Sequence, residues 1–304
     1  MKIVNFERKT RKIKEYANSL GGSSSKIGSL GVCTINMPAL AYKHVGDEEG
    51  FFKELKELVN DSAKANHARR KIVEKRIQNG NLPLYSYGFI DIKKQYSTCG
   101  INGLYECLDI MGFDIKSKEG QRFAIKIMNI INNENDKNEK QYQYPHNCEQ
   151  IPGESASVKL CLKDKILKRQ DEEHSYDFYS NQFIPLVNDA DMLDRIYLQG
   201  VFDKYFSGGS ILHINIENRI DDKEKIKELI RECSDKGVIY FALNYNLQMC
   251  ENGHMSVGMN DTCSCGAKIT DSYTRIVGYL TNTKSFNKTR REVDYPERKF
   301  YKSI

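Results

Sequence analysis

Three consecutive pieces decide the fold: Ile211-Leu-His-Ile-Asn-Ile216, Asp221-Asp-Lys-Glu-Lys-Ile-Lys-Glu-Leu-Ile-Arg-Glu-Cys-Ser-Asp235 and Val238-Ile-Tyr-Phe-Ala-Leu-Asn-Tyr245. The first alternates apolar and polar residues, as a strand does. The second is a charged amphipathic helix with Gly237 just past its end. The third returns as a strand. A strand, a helix and a second strand in this order predict an α/β fold with parallel pairing. Upstream, Gly208-Gly209 breaks a helix expected over 190–206. Another helix is expected from Pro152 to about Lys163, and 133–141, rich in Asn, Lys and Glu, reads as a surface loop. Helices are expected over 102–111 and 119–132, separated by Gly112, and a long one over 51–79 is closed by Gly80. Residues 29–37 are a mostly apolar run stopped by Pro38, which reads as a buried strand. The last 55 residues differ, with Gly, Cys, Asn and Thr in place of helical periodicity.

The 304 residues suffice for one large domain or two ordinary ones. A net charge of +5, with acids and bases interleaved, gives no footprint for nucleic acid. No run of 18 apolar residues exists, so no membrane span is expected. Met1 to Lys14 is basic without an apolar core, unlike a secretory signal. Nine cysteines, six of them scattered singly, do not make a secreted disulfide framework. A reducing, cytoplasmic setting is the expectation.

The remaining three cysteines cluster. Cys250-Glu-Asn-Gly-His254 and Cys263-Ser-Cys265-Gly266 offer two short pairs of soft or borderline ligands, the donor set of tetrahedral Zn²⁺. Gly253 and Gly266 allow the tight turns that aim a second ligand at the same ion. The single residue between Cys263 and Cys265 is tighter than the usual zinc-ribbon spacing. With Cys250, His254, Cys263 and Cys265 all supplied by protein, the site is expected to be structural. Arg275-Ile-Val-Gly278-Tyr-Leu280 follows; by itself it is a short apolar strand or loop, its glycine marking a bulge or a close approach.

Seven blocks, in one order across nearly the whole chain, carry a resemblance. They are Gly28-Ser-Leu-Gly-Val-Cys-Thr-Ile-Asn-Met-Pro38, Ser97-Thr-Cys-Gly-Ile-Asn-Gly-Leu-Tyr-Glu106, Asn147-Cys-Glu-Gln-Ile-Pro-Gly-Glu-Ser155, Tyr179-Ser-Asn-Gln-Phe-Ile-Pro185, Gly208-Gly-Ser-Ile-Leu-His213, the Cys/His cluster, and Arg275 to Leu280 with the basic tail Phe286 to Phe300. Together they resemble the C-terminal half of anaerobic (class III) ribonucleotide reductases. The resemblance implies the second half of a ten-stranded α/β barrel of the glycyl-radical type, over 1–245. A zinc knot over 246–270 and a radical loop and tail over 271–304 would follow. It implies that Gly278 stores a glycyl radical, because an unsubstituted Cα can become planar and delocalise its electron into both flanking amides. A separate iron–sulfur activating enzyme using S-adenosylmethionine would install the radical. Asn36 would face the ribose of a ribonucleotide substrate. Glu149 and Glu154 read as acid–base or substrate groups near the ribose, or as structural carboxylates; Ser155 and Ser157, at a helix start, read as phosphate-binding residues or as an ordinary serine cap.

The chain departs from the family in one respect. The cysteine that becomes a thiyl is expected before Gly28, near Met1 to Asn5 or beyond, and no cysteine precedes Cys33. Cys33 reads as a small buried hydrophobe or as a substitute thiyl. His213 reads as a core histidine. A split or truncated reductase, working with its N-terminal half as a second chain and open to homodimerisation, is the leading expectation. An inactive remnant, a different glycyl-radical enzyme, and a non-enzymatic zinc module stand behind it.

Overall fold

A computed structural model describes residues 26–275 and 279–302. Its elements are β1 (Gly28–Asn36), α1 (Met37–Lys43), α2 (Glu48–Gln78), α3 (Pro83–Ser86), β2 (Gln95–Asn102), α4 (Leu104–Ile110), α5 (Lys118–Tyr142), β3 (His146–Gln150) and α6 (Glu154–Ile166). There follow α7 (Met192–Asp203), β4 (Leu212–Ile216), α8 (Lys223–Asp235), β5 (Phe241–Tyr245), β6 (Leu247–Cys250), β7 (Met255–Val257), β8 (Ile269–Arg275), β9 (Leu280–Asn282) and α9 (Tyr295–Glu297).

The expected α/β alternation is present. β1, β2 and β3 form one parallel sheet in that order, and β4 and β5 form a parallel pair. A bridge from Glu149 to Gly209 joins the two, with the Gln150 amide donating to the Gly209 carbonyl at 3.0 Å. The outward face of the first sheet is apolar. It packs on α2 and α5 through Phe51, Phe52, Phe123, Ile127 and Ile131. The outward face of the second packs Leu212, Ile214 and Ile216 against Ile196, Leu229 and Cys233 of α7 and α8. Every residue of β4 is buried, including His213 and Asn215, so its alternation marks two covered faces and not a wet one.

Several expectations need correction. Residues 133–141 are not a loop; α5 continues to Tyr142. Their polar side chains face α2: Asn138 donates to Asn60 at 3.0 Å and Asn60 to Glu134 at 3.3 Å. Buried polar groups satisfied across a helix pair do not need water. The 29–37 run ends one residue earlier, at Asn36, whose side chain caps α1 at the Ala39 amide, with Pro38 in the first turn. The helix expected over 102–111 starts at Leu104, after the left-handed Gly103.

β2 and β3 were not expected as strands. All eight residues of β2 are buried although it reads Gln-Tyr-Ser-Thr-Cys-Gly-Ile-Asn. Its polar groups are met locally: Asn66 donates to the Thr98 carbonyl, the Ser29 and Thr98 hydroxyls pair, and the buried Arg70 guanidinium binds the Gln95 carbonyl. An antiparallel sheet ordered β7-β6-β8-β9 follows, and the tail then returns to pair Tyr301 with Ile216 of β4. Among the described residues no helix is long and apolar enough to cross a membrane.

Candidate active site and metal centre

Parallel register sorts the side chains of the first sheet. Thr34, Gly100 and Glu149 are partners across three strands, and Asn36 pairs with Asn102 two residues further on. Side chains two apart share a face, so Asn36, Asn102 and Glu149 look the same way, at the C-terminal ends of their strands. In open parallel sheets that end is where ligands bind. Cys33, Cys99 and Cys148 are also in register, but on the opposite face. Cys99 and Cys148 lie in the apolar core, and the Cys33 thiol points to Asn66 of α2. Cys33 therefore faces away from Asn36, as a packing cysteine does.

Asn36 is fixed from both ends. Its Oδ1 caps α1, and its Nδ2 donates to Asp164 Oδ2 at 2.7 Å. Asp164 also accepts from the Tyr179 hydroxyl at 2.8 Å and from Arg169 at 2.7 Å. Sequence reasoning missed Asp164. The available signal was spacing: Ser157, Cys161 and Asp164 recur at four and three residues along α6 and are all buried. A helix whose inward stripe is polar faces something other than a core.

Glu149 is half-buried, and burial lifts its carboxyl from 4.5 to about 7. Glu106, at 3% exposure, accepts from the Ser180 amide at 2.7 Å through Oε1, and its Oε2 has no partner among the described residues. Burial raises it to about 8, despite the Ser180 hydrogen bond and the nearby Arg290 charge. Asn102 Oδ1 is likewise buried and unmet. Two carboxyls that hold protons near neutral pH, beside an orphan amide oxygen, suit a polar, water-poor ligand site.

Glu154 and Ser155 occupy the first turn of α6, with Ser155 exposed. Ser157 is fully buried, and its hydroxyl accepts from Arg290 Nη2 at 2.5 Å. The structure therefore brings Asn36 and Glu149 to one face, and ties Ser157 to the tail. His213 is buried against Asn244, which donates to its Nδ1 at 2.9 Å, while Nε2 lacks a partner among the described residues. Burial, aided by Arg298 and Arg275, lowers His213 to about 4, so it is neutral at pH 7. It is a buried histidine on the face of β4 opposite Leu212, Ile214 and Ile216, with one nitrogen satisfied.

The four metal-ligand candidates converge. The ligand atoms of Cys250, His254, Cys263 and Cys265 all lie within 4.8 Å of one another. Cys250 and Cys265 sulfurs are 3.9 Å apart, as are Cys263 Sγ and His254 Nδ1. Sulfurs on a tetrahedral zinc stand about 3.8 Å apart, and sulfur and nitrogen about 3.6 Å, given bonds of about 2.3 and 2.0 Å. The donor set fits zinc. Two matching turns build it. The Gly253 amide returns to the Cys250 carbonyl at 2.8 Å and the Gly266 amide to the Cys263 carbonyl at 2.9 Å, with both glycines at positive φ. The Ala267 amide, then His254, holds the Cys265 thiol down to about 6, toward the thiolate a metal needs. This amide supply answers the tight Cys263–Cys265 spacing.

Gly278 lies outside the described residues, as does the N-terminal stretch where a thiyl cysteine would be sought. The strands on either side of Gly278, β8 and β9, pair up to Arg275 and Leu280.

The family model described as anaerobic ribonucleoside-triphosphate reductase matches residues 5–301. A solved anaerobic ribonucleotide reductase superposes with a TM-score of 0.87 at 40% identity, covering 94% of this chain and 47% of that one. The Thermotoga maritima anaerobic ribonucleotide reductase with glycerol in its active site gives 0.82 at 39% identity, over 92% and 47% of the two chains. The same enzyme in complex with dATP and CTP gives 0.81 at 39%, over 90% and 46%. No curated protein sequence matches the chain significantly. The chain spans about half the length of the solved relatives. On the family match and the shared fold, the chain belongs to the anaerobic ribonucleoside-triphosphate reductases.

Proposed function

We propose that this chain is the radical-bearing half of an anaerobic ribonucleotide reductase, an oxidoreductase that converts ribonucleotides to deoxyribonucleotides by glycyl and thiyl radical chemistry. The observation that carries the reading is the polar face at the strand ends, which Asn36 and Asn102 share with the raised carboxyl of Glu149. It lies on the side opposite α2 and α5, as the interior of a half-barrel would. The proposed division is a partial barrel over 1–245, a zinc knot over 246–270, and a radical loop and tail over 271–304.

Within this reading, Gly278 stores the radical and Asn36, held by Asp164, orients the ribose. Glu149, protonated near neutral pH, exchanges a proton with the ribose hydroxyls; general acid–base groups work best with a pKa near the working pH. The start of α6, with its backbone amides and the Ser155 hydroxyl, receives the phosphates, and Glu154 lies toward the ribose. Ser157 acts from beneath by anchoring Arg290. Zinc on Cys250, His254, Cys263 and Cys265 would be structural, pinning the sheet that carries the strands beside Gly278. The thiyl cysteine would come from an N-terminal half on a second chain. A separate activase would generate the radical.

The test is anaerobic activation of the chain together with that half. Wild type is expected to give a glycyl doublet by electron paramagnetic resonance and Gly278→Ala none. A doublet surviving in Gly278→Ala would refute the assignment.

A further inference from the structure

Three charged residues of the tail are buried together: Arg290, Asp294 and Arg298 are 3, 1 and 6% exposed. Asp294 Oδ2 accepts from Arg290 Nη1 and Arg298 Nη2, both at 2.7 Å, and Oδ1 accepts from Arg298 Nε at 3.0 Å. Burying such charges is costly, and it persists only where geometry satisfies them. Here each arginine has a second engagement. Arg290 reaches the Ser157 hydroxyl and stacks over the Phe178 ring at 4.5 Å. Arg298 Nη1 donates to the Arg275 carbonyl at 2.7 Å. Arg275 is the last residue of β8, three before Gly278.

We infer that Arg290, Asp294 and Arg298 are positioning residues that lock Arg275, at the end of β8 and three residues before Gly278, to the first turns of α6. One carboxylate orients two planar guanidinium forks, and each fork holds one of the two elements. The position of Arg275 relative to the first turns of α6 then does not depend on the short β8–β9 pairing alone. The inference rests on the Gly278 reading for its role in catalysis, but the clamp is a property of this chain alone.

The test is hydrogen exchange by mass spectrometry on the full chain, comparing wild type with Arg298→Met and Arg298→Lys. Met removes both the carboxylate and the carbonyl contacts; Lys keeps the charge but has no planar fork. Exchange across residues 274–282 is expected to rise about tenfold in Arg298→Met, about the loss of one charge-assisted hydrogen bond, and by less in Arg298→Lys. β4 should keep wild-type protection. Exchange over 274–282 within about twofold of wild type in both variants, or equal acceleration in β4, would overturn the clamp. If Arg298→Met does not fold, the segment-specific rise in Arg298→Lys decides. Electron paramagnetic resonance separates the two claims. No doublet in activated wild type sinks the Gly278 reading and leaves exchange to judge the clamp. A wild-type doublet that weakens in Arg298→Met supports the role in catalysis, and one unchanged in amplitude and line shape overturns it.

Discussion

Replacing Glu149 with glutamine tests the polar face directly. Burial raises the folded carboxyl from 4.5 to about 7. The folded state thus binds this proton more tightly than the unfolded chain does. Stability is full below the unfolded value, erodes as pH rises between the two values, and reaches its floor once the folded group has ionised. Linkage with these two values gives a loss of about 2 kcal/mol between about pH 5.5 and pH 8. Glu106 titrates in the same direction, so the informative quantity is the difference between wild type and variant. Glu149→Gln is near in shape and carries no charge at any pH. Its advantage over wild type, already present at about pH 5.5, should grow by about 2 kcal/mol by about pH 8. Urea unfolding at both pH values, at fixed ionic strength, measures this. Parallel pH slopes in wild type and variant would mean that Glu149 ionises freely and that its face is wet. In the reconstituted reductase the same variant should lose turnover while the glycyl doublet persists, because the residue is assigned to the substrate and not to the radical.

Elemental analysis of the purified chain should find about one zinc, and Cys265→Ser or Cys250→Ser should abolish it, since a structural site needs all four ligands. Full zinc retention in both variants would remove the site. Phe51→Ala should cost about 3–5 kcal/mol in urea unfolding, because Phe51 is fully buried between Phe52 and Phe123 and the hole cannot be filled from α2. A cost below about 1 kcal/mol would mean that the outward core collapses around the gap.

The sequence by itself determined the parallel α/β character, the position of most helices and the cysteine cluster. Each of these is written in local signals: β4, α8 and β5 by period and by Gly237, the metal centre by two short ligand pairs with glycines. Family likeness, too, was legible in seven ordered blocks. Only tertiary structure decided the rest, because it depends on which polar residues meet each other. Gln95–Asn102 is a strand because Arg70, Asn66 and Ser29 satisfy it, and none of them is adjacent in sequence. The 133–141 stretch is helical because Asn60 waits across from Glu134 and Asn138. Register put Asn36, Asn102 and Glu149 of three separate strands on one face. The pairing of Asp164 with Asn36, and of Arg290 with Ser157, joins residues 128 and 133 positions apart. Local propensity describes how a segment folds on itself; buried charge and buried amide are placed by partners that only the folded chain brings within reach.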